Sequence, residues 1–394
     1  MSERTDGGRQ VEQPGNDKGA LRLSDVRLPD LSAIRALAAE LGFASLGVAS
    51  LQIRPEAVEG LRAWLGAGMH GAMDYMARHE RLRTHPDELM PGALSALMLT
   101  VDYAPAQERW RSDAWDTIAD SERAYVARYA LGRDYHKLVR TRLQTLATRL
   151  EERIGPFGYR AFCDSAPVLE VELASRAGIG WRGKHTLLID RRGGSMRFIG
   201  TLYTDLPLDE SVPEPDRCGR CERCIDVCPT RAIVAPYRLD ARRCIAYLTI
   251  EHPGAIPIEM RPLIGNRVFG CDDCQLVCPW NRFARPSAET AFAPRHRLDQ
   301  ATLVELFSWD EQTFAERTAG SAIRRIGHQR WLRNIAVAIG NARPESLASR
   351  EALIAALRAR AGHESPLVRE HVAWAIDRLG GLPAVEHQPA GTSV

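Results

Sequence analysis

Eight of the nine cysteines fall between residues 218 and 278, at spacings that point to thiolate-held iron-sulfur clusters. The first run, Cys218, Cys221, Cys224 and Cys228 followed by Pro229, reads C-x2-C-x2-C-x3-C-P. The second is inverted: Cys244 stands alone, and Cys271, Cys274 and Cys278 follow as C-x2-C-x3-C-P. A short turn wraps three thiolates around one cubane, and the fourth cysteine of a run reaches the other cluster. The spacing therefore predicts two [4Fe-4S] clusters. One is assigned to Cys218, Cys221, Cys224 and Cys278, and the other to Cys228, Cys244, Cys271 and Cys274. C-x2-C pairs also occur in zinc knuckles, but three closely spaced thiolates in runs that end in C-P are not the usual spacing of a tetrahedral zinc site.

At 394 residues and 45% hydrophobic content, the chain can bury a large core divided among two or three domains. A formal net charge of +2 does not advertise nucleic-acid binding, so any such partner must be met by a local basic surface. No apolar run is long enough to cross a membrane, and the polar start MSERTDGGRQVEQPGNDKG lacks both the apolar core of a signal peptide and a twin-arginine pair. A cytoplasmic protein is expected, with no membrane partner. A reducing compartment suits that expectation, because it keeps thiols available for iron.

Residues 1–27 carry almost no large apolar side chain and are expected to be a flexible tail. Order is expected from about Leu28, with a helix after Asp30 as N-cap and a strand in FASLGVAS. Further helix and strand patterns, including a helix over 136–153 and strands in TLLID and SMRFIGTLYT, define an α/β domain over 28–205. The proline-rich acidic stretch DLPLDESVPEPD links it to a ferredoxin-like cluster domain over 206–290. The segment 291–394 is helical. There the pattern A-x-A-I at 336–339 recurs at 373–376, an offset of 37 residues that suggests stacked HEAT-like helix pairs.

Gly178-Ile-Gly180-Trp-Arg-Gly183 matches G-x-G-x-x-G, but a helix pattern precedes it and a strand pattern follows, the reverse of a dinucleotide-binding turn. These glycines are expected to end a helix or to admit close backbone approach. Asp164 in AFCDSAPVLE sits where a helix cap belongs, and a carboxyl there that lost water would have its pKa raised and could donate a proton. Cys163 beside it is expected to be a small buried hydrophobe. The polar, aromatic stretch ARYALGRDYHK at 127–137 suits either a ligand-lining loop or a solvated helix start. Arg324, Arg325, Arg330 and Trp331 in SAIRRIGHQRWLRN give a basic, aromatic-bearing stretch able to meet RNA phosphates and bases, or else a solvated helix face.

Together these pieces resemble the epoxyqueuosine reductase family, cobalamin-dependent iron-sulfur enzymes of tRNA modification related to reductive dehalogenases. The resemblance covers about 28–380 and is carried by LGRDYHK, DSAPVLE, AGIGWRGKH, both cysteine runs, LDARRCIAYLTIE, GNRVFGCDDCQLVCPWNR and GSAIRRIGHQRWLRNIAVAIGNA. It implies a cobalamin-binding α/β domain that holds cob(II)alamin, a ferredoxin-like middle, and a C-terminal helical segment that helps hold a tRNA anticodon stem-loop. Asp164 occupies the position of the family's proposed proton donor. Some members place a cysteine near the cobalt where this chain has Ala127, so cysteine coordination of cobalt is not expected. Motif position assigns Ala127, Tyr135, His136, Lys184, Leu188, Ile199 and Tyr247 to the cobalamin pocket. The implied reaction is reduction of epoxyqueuosine to queuosine at the wobble position, fed by an external low-potential donor of flavodoxin or ferredoxin type, in a monomer. A cobalamin-dependent reductive dehalogenase of a small organohalide is the alternative.

Overall fold

The computed structural model describes residues 30–380. The tail expected over 1–27, the start of order expected near Leu28, and everything after residue 380 lie outside the described residues. Asp30 caps α1 (Leu31–Glu40), accepting from the Ser32 amide at 3.3 Å, and Gly42 with φ +80° turns the chain toward β1 (Ser45–Ser50). Then come β2 (Ser95–Asp102), α2 (Tyr135–Ile154), β3 (Tyr159–Phe162), α3 (Glu170–Arg176) and β4 (Arg197–Thr204).

The four strands form one sheet in the order β1-β2-β4-β3, antiparallel at every pairing. Alternation decides which helix each face meets. Leu97, Leu99 and Val101 of β2, with Phe198 and Leu202 of β4, pack on Val139, Leu143, Leu146 and Leu150 of α2. Ala96 and Met98 point the other way, onto Leu173 and Ala174 of α3. Helix α2 lies so close that a Cβ at Gly200 would come within 2.9 Å of Val139, which is why β4 carries glycine there. The expected helix over 136–153 and strand over 195–204 are thus the central pair that positions the site.

The glycine-rich turn has the expected structural character. It follows α3 and leads into a short hairpin, Trp181–Arg182 with Leu188–Ile189, and a Cβ at Gly180 would strike the Ile189 carbonyl at 2.1 Å. The cysteine region is built from short pieces, including the helices Arg223–Asp226 and Asp273–Leu276 and the hairpin Ile233–Ala235 with Arg238–Leu239. It is stitched to the preceding segment, because Arg267–Phe269 pairs in parallel with Tyr125–Val126.

The C-terminal segment contains α4 (Gly327–Gly340), α5 (Leu347–Ala359) and α6 (Pro366–Gly380), which share one apolar core. The 37-residue echo is matched only in part: Ala338 and Ala375 are both fully buried, but Ala336 is fully buried whereas Ala373 is exposed, and Arg333 is buried whereas Arg369 is exposed. Trp331 is also fully buried, tilted by 24° against Trp309 in a stacked pair, so it cannot stack on an RNA base. Among the described residues, no helix is long and apolar enough to cross a membrane.

Candidate active site

Helix α2 starts where a polar cluster is needed. Asp134 is its N-cap and accepts from the His136 amide at 3.1 Å, while its second role is to hold the His136 ring, with Nδ1 at 2.7 Å. Tyr135 and His136 in the first helical turn both reach Asp164: the Tyr135 hydroxyl donates to Asp164 Oδ2, and His136 Nε2 lies 3.2 Å from the same oxygen. Arg325 arrives from the C-terminal segment, with Nη2 at 2.5 Å from Asp134 Oδ2 and Nη1 at 3.1 Å from His136 Nε2. Arg325, a candidate for RNA contacts or a solvated face, is half-exposed and also donates into this network, where the Asp134 carboxylate accepts from it.

Asp164 does not cap a helix. Helix α3 begins six residues later at Glu170, and Asp164 sits in a loop with φ +60°, a conformation that aspartate tolerates better than most residues. Its backbone amide donates to Glu170 Oε1 at 2.9 Å. The Asp164 side chain keeps 59% of its surface, which opens onto a cavity.

The cluster sorts its own protons. Burial works against charge on Asp164, but hydrogen bonds from His136 and Tyr135 outweigh it and hold this carboxyl below its usual range. The expectation of a raised pKa at Asp164 is thus corrected, since its lost water is replaced by donors. Burial, with the Asp164 charge close by, pushes Glu170 well above the usual carboxylate range. Burial alone would lower His136, but its bonds to Asp134 and Asp164 leave it raised. Asp134 is disfavoured by burial yet held at about 2 by its bonds to His136.

The cavity, of about 430 Å³, runs from Asp164 and Tyr135 to four of the cysteines, Cys228, Cys244, Cys271 and Cys274. Its flanks are apolar, with Leu188, Ile199, Val171, Ile233 and Ile245. His185 also lines it, buried to 3% exposure. Its Nδ1 accepts from the Leu187 amide at 3.2 Å and its Nε2 has no partner, so burial pushes its pKa down to about 4 and leaves a neutral ring with an idle donor. Of the residues expected around a cobalamin, Tyr135, Leu188 and Ile199 stand on these walls, and His136 stands behind Asp164. Ala127, Lys184 and Tyr247 are not among the lining residues. Ala127 is buried with its amide on the Phe269 carbonyl, Lys184 lies 3.6 Å from Glu222, and the Tyr247 hydroxyl takes the Ala72 amide at 2.7 Å.

The remaining cysteines gather on the far side of that wall. Cys278, Cys218 and Cys221 lie close enough for their charges to bear on Cys224, and Cys278 and Cys218 share an apolar nest with Trp181, Ile189 and Trp280. Cys274 feels both Cys244 of its own group and Cys224 of the other, so the two sets of thiols are neighbours. Among the described residues, no three His, Cys, Asp or Glu side chains converge on a single-ion site. Four thiolates on one zinc would bring their sulfurs to about 3.8 Å from one another, whereas the corners of an iron-sulfur cubane hold them farther apart.

Sequence reasoning left Glu170 and His185 without roles and did not place Arg325 in the network of Asp134 and His136. Glu170 and His185 lie in the quoted motifs DSAPVLE and AGIGWRGKH, but only folding shows what they face.

Residues 217–281 match the family model of the 4Fe-4S double cluster binding domain, which makes the chain an iron-sulfur protein of the two-cluster class. Residues 83–165 match the model described as epoxyqueuosine reductase QueG, DUF1730. The epoxyqueuosine reductase of Xanthomonas campestris pv. campestris is 57% identical over 347 residues, covering 88% of this chain and 95% of that relative. The epoxyqueuosine reductase of Escherichia coli K12 is 50% identical over 337 residues, covering 86% of each. A crystal structure of an epoxyqueuosine reductase with an epoxyqueuosine-modified tRNA-Tyr stem loop matches with a TM-score of 0.78 at 26% identity, over 89% of this chain and 90% of that one. The chain belongs to the epoxyqueuosine reductase family, as its motifs led us to expect.

Proposed function

We propose that this protein reduces epoxyqueuosine at the wobble position of tRNA to queuosine, the last step of queuosine biosynthesis. The observation that carries this reading is the single cavity with a proton-holding network at one end, at Asp164, and four thiols at the other. An epoxide oxygen is a poor leaving group until protonated, and its reduction also needs two electrons. A site that brings an acid and a redox wire to one space answers both needs.

Cys218, Cys221, Cys224 and Cys278 would hold one [4Fe-4S] cluster, and Cys228, Cys244, Cys271 and Cys274 the other. Clusters bound there would pass electrons singly toward the cavity. Cobalamin fits the space in chemistry: Leu188, Ile199 and Ile245 suit the faces of a flat macrocycle, and the idle Nε2–H of His185 suits one of its polar side arms. When bound it would supply a low-potential, nucleophilic metal centre to this space.

The chain's own residues do the remaining work. Asp164, charged at rest, relays a proton from the raised His136 imidazolium behind it to the epoxide oxygen as the C–O bond breaks. His136 and Tyr135 fix its carboxyl and Asp134 fixes His136, so the donor does not have to be oriented within each turnover. The assignments of 28–205 to cobalamin binding, 206–290 to the clusters and 291–394 to a HEAT-like support for the anticodon stem-loop belong to the same proposal. So do an external flavodoxin- or ferredoxin-type donor, a monomeric state and a cytoplasmic location.

The test is nucleoside mass spectrometry of tRNA from a strain deleted for this gene. Epoxyqueuosine accumulates at the wobble position and plasmid-borne wild type restores queuosine; unchanged queuosine in the deletion strain would overturn the reading.

A further inference from the structure

The two thiol sets differ in what they face. Cys228, Cys244, Cys271 and Cys274 line the cavity, whereas Cys221 of the other set lies in a turn whose residues 219–223 are all exposed. A pair of clusters in series is filled at one end and emptied at the other. The cavity end is where Asp164 meets the substrate, so on the proposed function reducing equivalents enter at the Cys221 end.

We propose that the surface around Cys221 is the docking face for a small acidic flavoprotein of flavodoxin type, an aromatic contact ringed by arginines. Trp280 packs edge-on against Trp181, with ring centres 4.9 Å apart, in the apolar nest that holds Cys218 and Cys278. Phe283 continues the patch outward, 5.9 Å from Trp280 and 41% exposed. The aromatic contact therefore runs unbroken from the thiols to the surface. An exposed aromatic anchor within a charged rim is the anatomy of a protein interface. A flavodoxin binds its flavin in a crevice at the carboxyl end of its strands, and the apolar ring edge left at the surface suits Phe283. A ferredoxin would bring a backbone loop instead.

The rim is cationic. Arg220 and Arg223 stand on either side of Cys221, and both are exposed. Arg282 lies 4.5 Å over the Phe283 ring. Arg191, Arg192 and Arg285 line one cleft of about 300 Å³ with Glu214, whose partner Arg217 precedes Cys218. The turn that carries Arg191 and Arg192 packs on Asn281, where a Cβ at Gly194 would lie 2.1 Å from Asn281 Oδ1, so the cleft adjoins the aromatic patch. The carboxylates nearby are already engaged: Asp190 by Arg197 at 2.6 Å, Glu222 by Lys184 at 3.6 Å and Glu214 by Arg217 at 3.9 Å. Asp216 accepts from the Cys218 amide at 2.7 Å and from the Tyr237 hydroxyl, which leaves Asp226 as the exposed carboxylate of this turn. An acidic carrier is drawn to such a face, and steering of this kind speeds encounter more than it tightens the complex. RNA also seeks arginines, but the wobble nucleotide has to reach Asp164 at the opposite end of the site. In each encounter the anionic flavin hydroquinone gives up one electron and becomes the neutral semiquinone, with no proton crossing. Two encounters supply the two electrons that one epoxide consumes.

The probe is Escherichia coli flavodoxin, compared with an acidic ferredoxin and an epoxyqueuosine-bearing stem-loop. Stopped-flow reduction of the holoenzyme by flavodoxin hydroquinone reads electron entry, and anisotropy of labelled oxidised flavodoxin reads docking without turnover. Wild type binds flavodoxin, and its second-order rate falls steeply with added salt. Arg220→Glu combined with Arg223→Glu lowers that rate about tenfold or more at low salt and flattens its salt dependence. Arg191→Glu combined with Arg192→Glu, farther from the thiols, lowers it too while iron content, reduction by dithionite and stem-loop affinity stay at wild-type levels. Charge-reversed variants that react with flavodoxin as wild type does overturn the proposal. Loss of stem-loop affinity to the same degree overturns it in favour of RNA, and arginine dependence seen only with ferredoxin overturns the choice of a flavin carrier. Holoenzyme that reduces epoxyqueuosine with dithionite yet takes no electrons from flavodoxin sinks the docking face alone; holoenzyme that leaves epoxyqueuosine intact with every reductant sinks the proposed function.

Discussion

Arg325 Nη2 lies 2.5 Å from Asp134 Oδ2, a bond between the C-terminal helical segment and the cap of the helix that carries Tyr135 and His136. A residue considered for an RNA-binding surface thus also joins the hydrogen-bonded network behind Asp164. Arg325→Met should lower turnover by about tenfold or more through loosened His136 and Asp164, with stem-loop affinity changed far less. Neighbouring Arg324 is exposed, so Arg324→Glu should weaken stem-loop binding and flatten its salt dependence by about one phosphate contact. Single-turnover kinetics and salt-titrated binding separate the two; equal effects on affinity would sink the division of labour.

Asp164→Ala should keep iron, labile sulfide and cobalamin binding while turnover drops roughly 10²- to 10⁴-fold, the range of a lost general acid. Asp164→Asn, which keeps the shape without the acid, should be as slow. A near wild-type rate in either variant removes Asp164 from the chemistry.

The two thiol groups predict crossed phenotypes. Cys278→Ser should damage the cluster of Cys218, Cys221 and Cys224, although it lies more than 50 residues beyond them, and Cys228→Ser should damage the cavity-side cluster. Each variant should fall from about eight irons per chain toward about four, with electron paramagnetic resonance showing which cluster survives. Loss of the same cluster in both variants would refute the pairing.

Asp134 titrates at about 2 in the fold against its ordinary 3.8, because its bonds to His136 overcome burial. A lowered carboxyl stabilises the fold above its unfolded pKa, and that stabilisation disappears as pH falls through the folded value. Asp134→Asn keeps the helix cap but not the charge. It should therefore lose about 2 kcal/mol at pH 7, with the gap to wild type closing between about pH 4 and pH 2 in denaturant titrations. A gap independent of pH would mean that the charge contributes nothing.

Trp331→Ala should destabilise the C-terminal segment by about 3 to 5 kcal/mol, the usual loss for a large aromatic cut from a core, rather than act on RNA contacts selectively. Thermal unfolding checks the first part and stem-loop binding by the folded variant the second.

What could be read from the chain and what could not divide along physical lines. Cysteine spacing is local and the geometry of a cubane is demanding, so a double-cluster domain was legible before any fold was known. The GRDYH stretch and Asp164 were legible as motifs. One misreading is Asp164, taken for a helix cap with a raised pKa; the other lies in the stretch around α4. Trp331 and Arg333 look like part of an exposed basic face, yet residues 331–340 are all buried. Arg333 spends its guanidinium on the carbonyls of Leu248, His252 and Gly254 at 2.7 to 2.8 Å, so there charge serves as internal mortar for backbone oxygens. Local pattern cannot tell a cation that meets water from one that meets distant carbonyls. Glu170 escaped for a similar reason, since its significance lies in where its neighbour's amide points.

The parallel pairing of Tyr125–Val126 with Arg267–Phe269 has a consequence for how the enzyme can be taken apart. The strand that leads directly into Cys271 has its hydrogen-bonding partner well over a hundred residues upstream, so the electron-carrying portion is a graft woven into its host. Excised alone, residues 206–290 would expose a raw strand edge beside the thiols and aggregate before iron could be loaded. Evolution could not have swapped this wire for another without also recutting the socket.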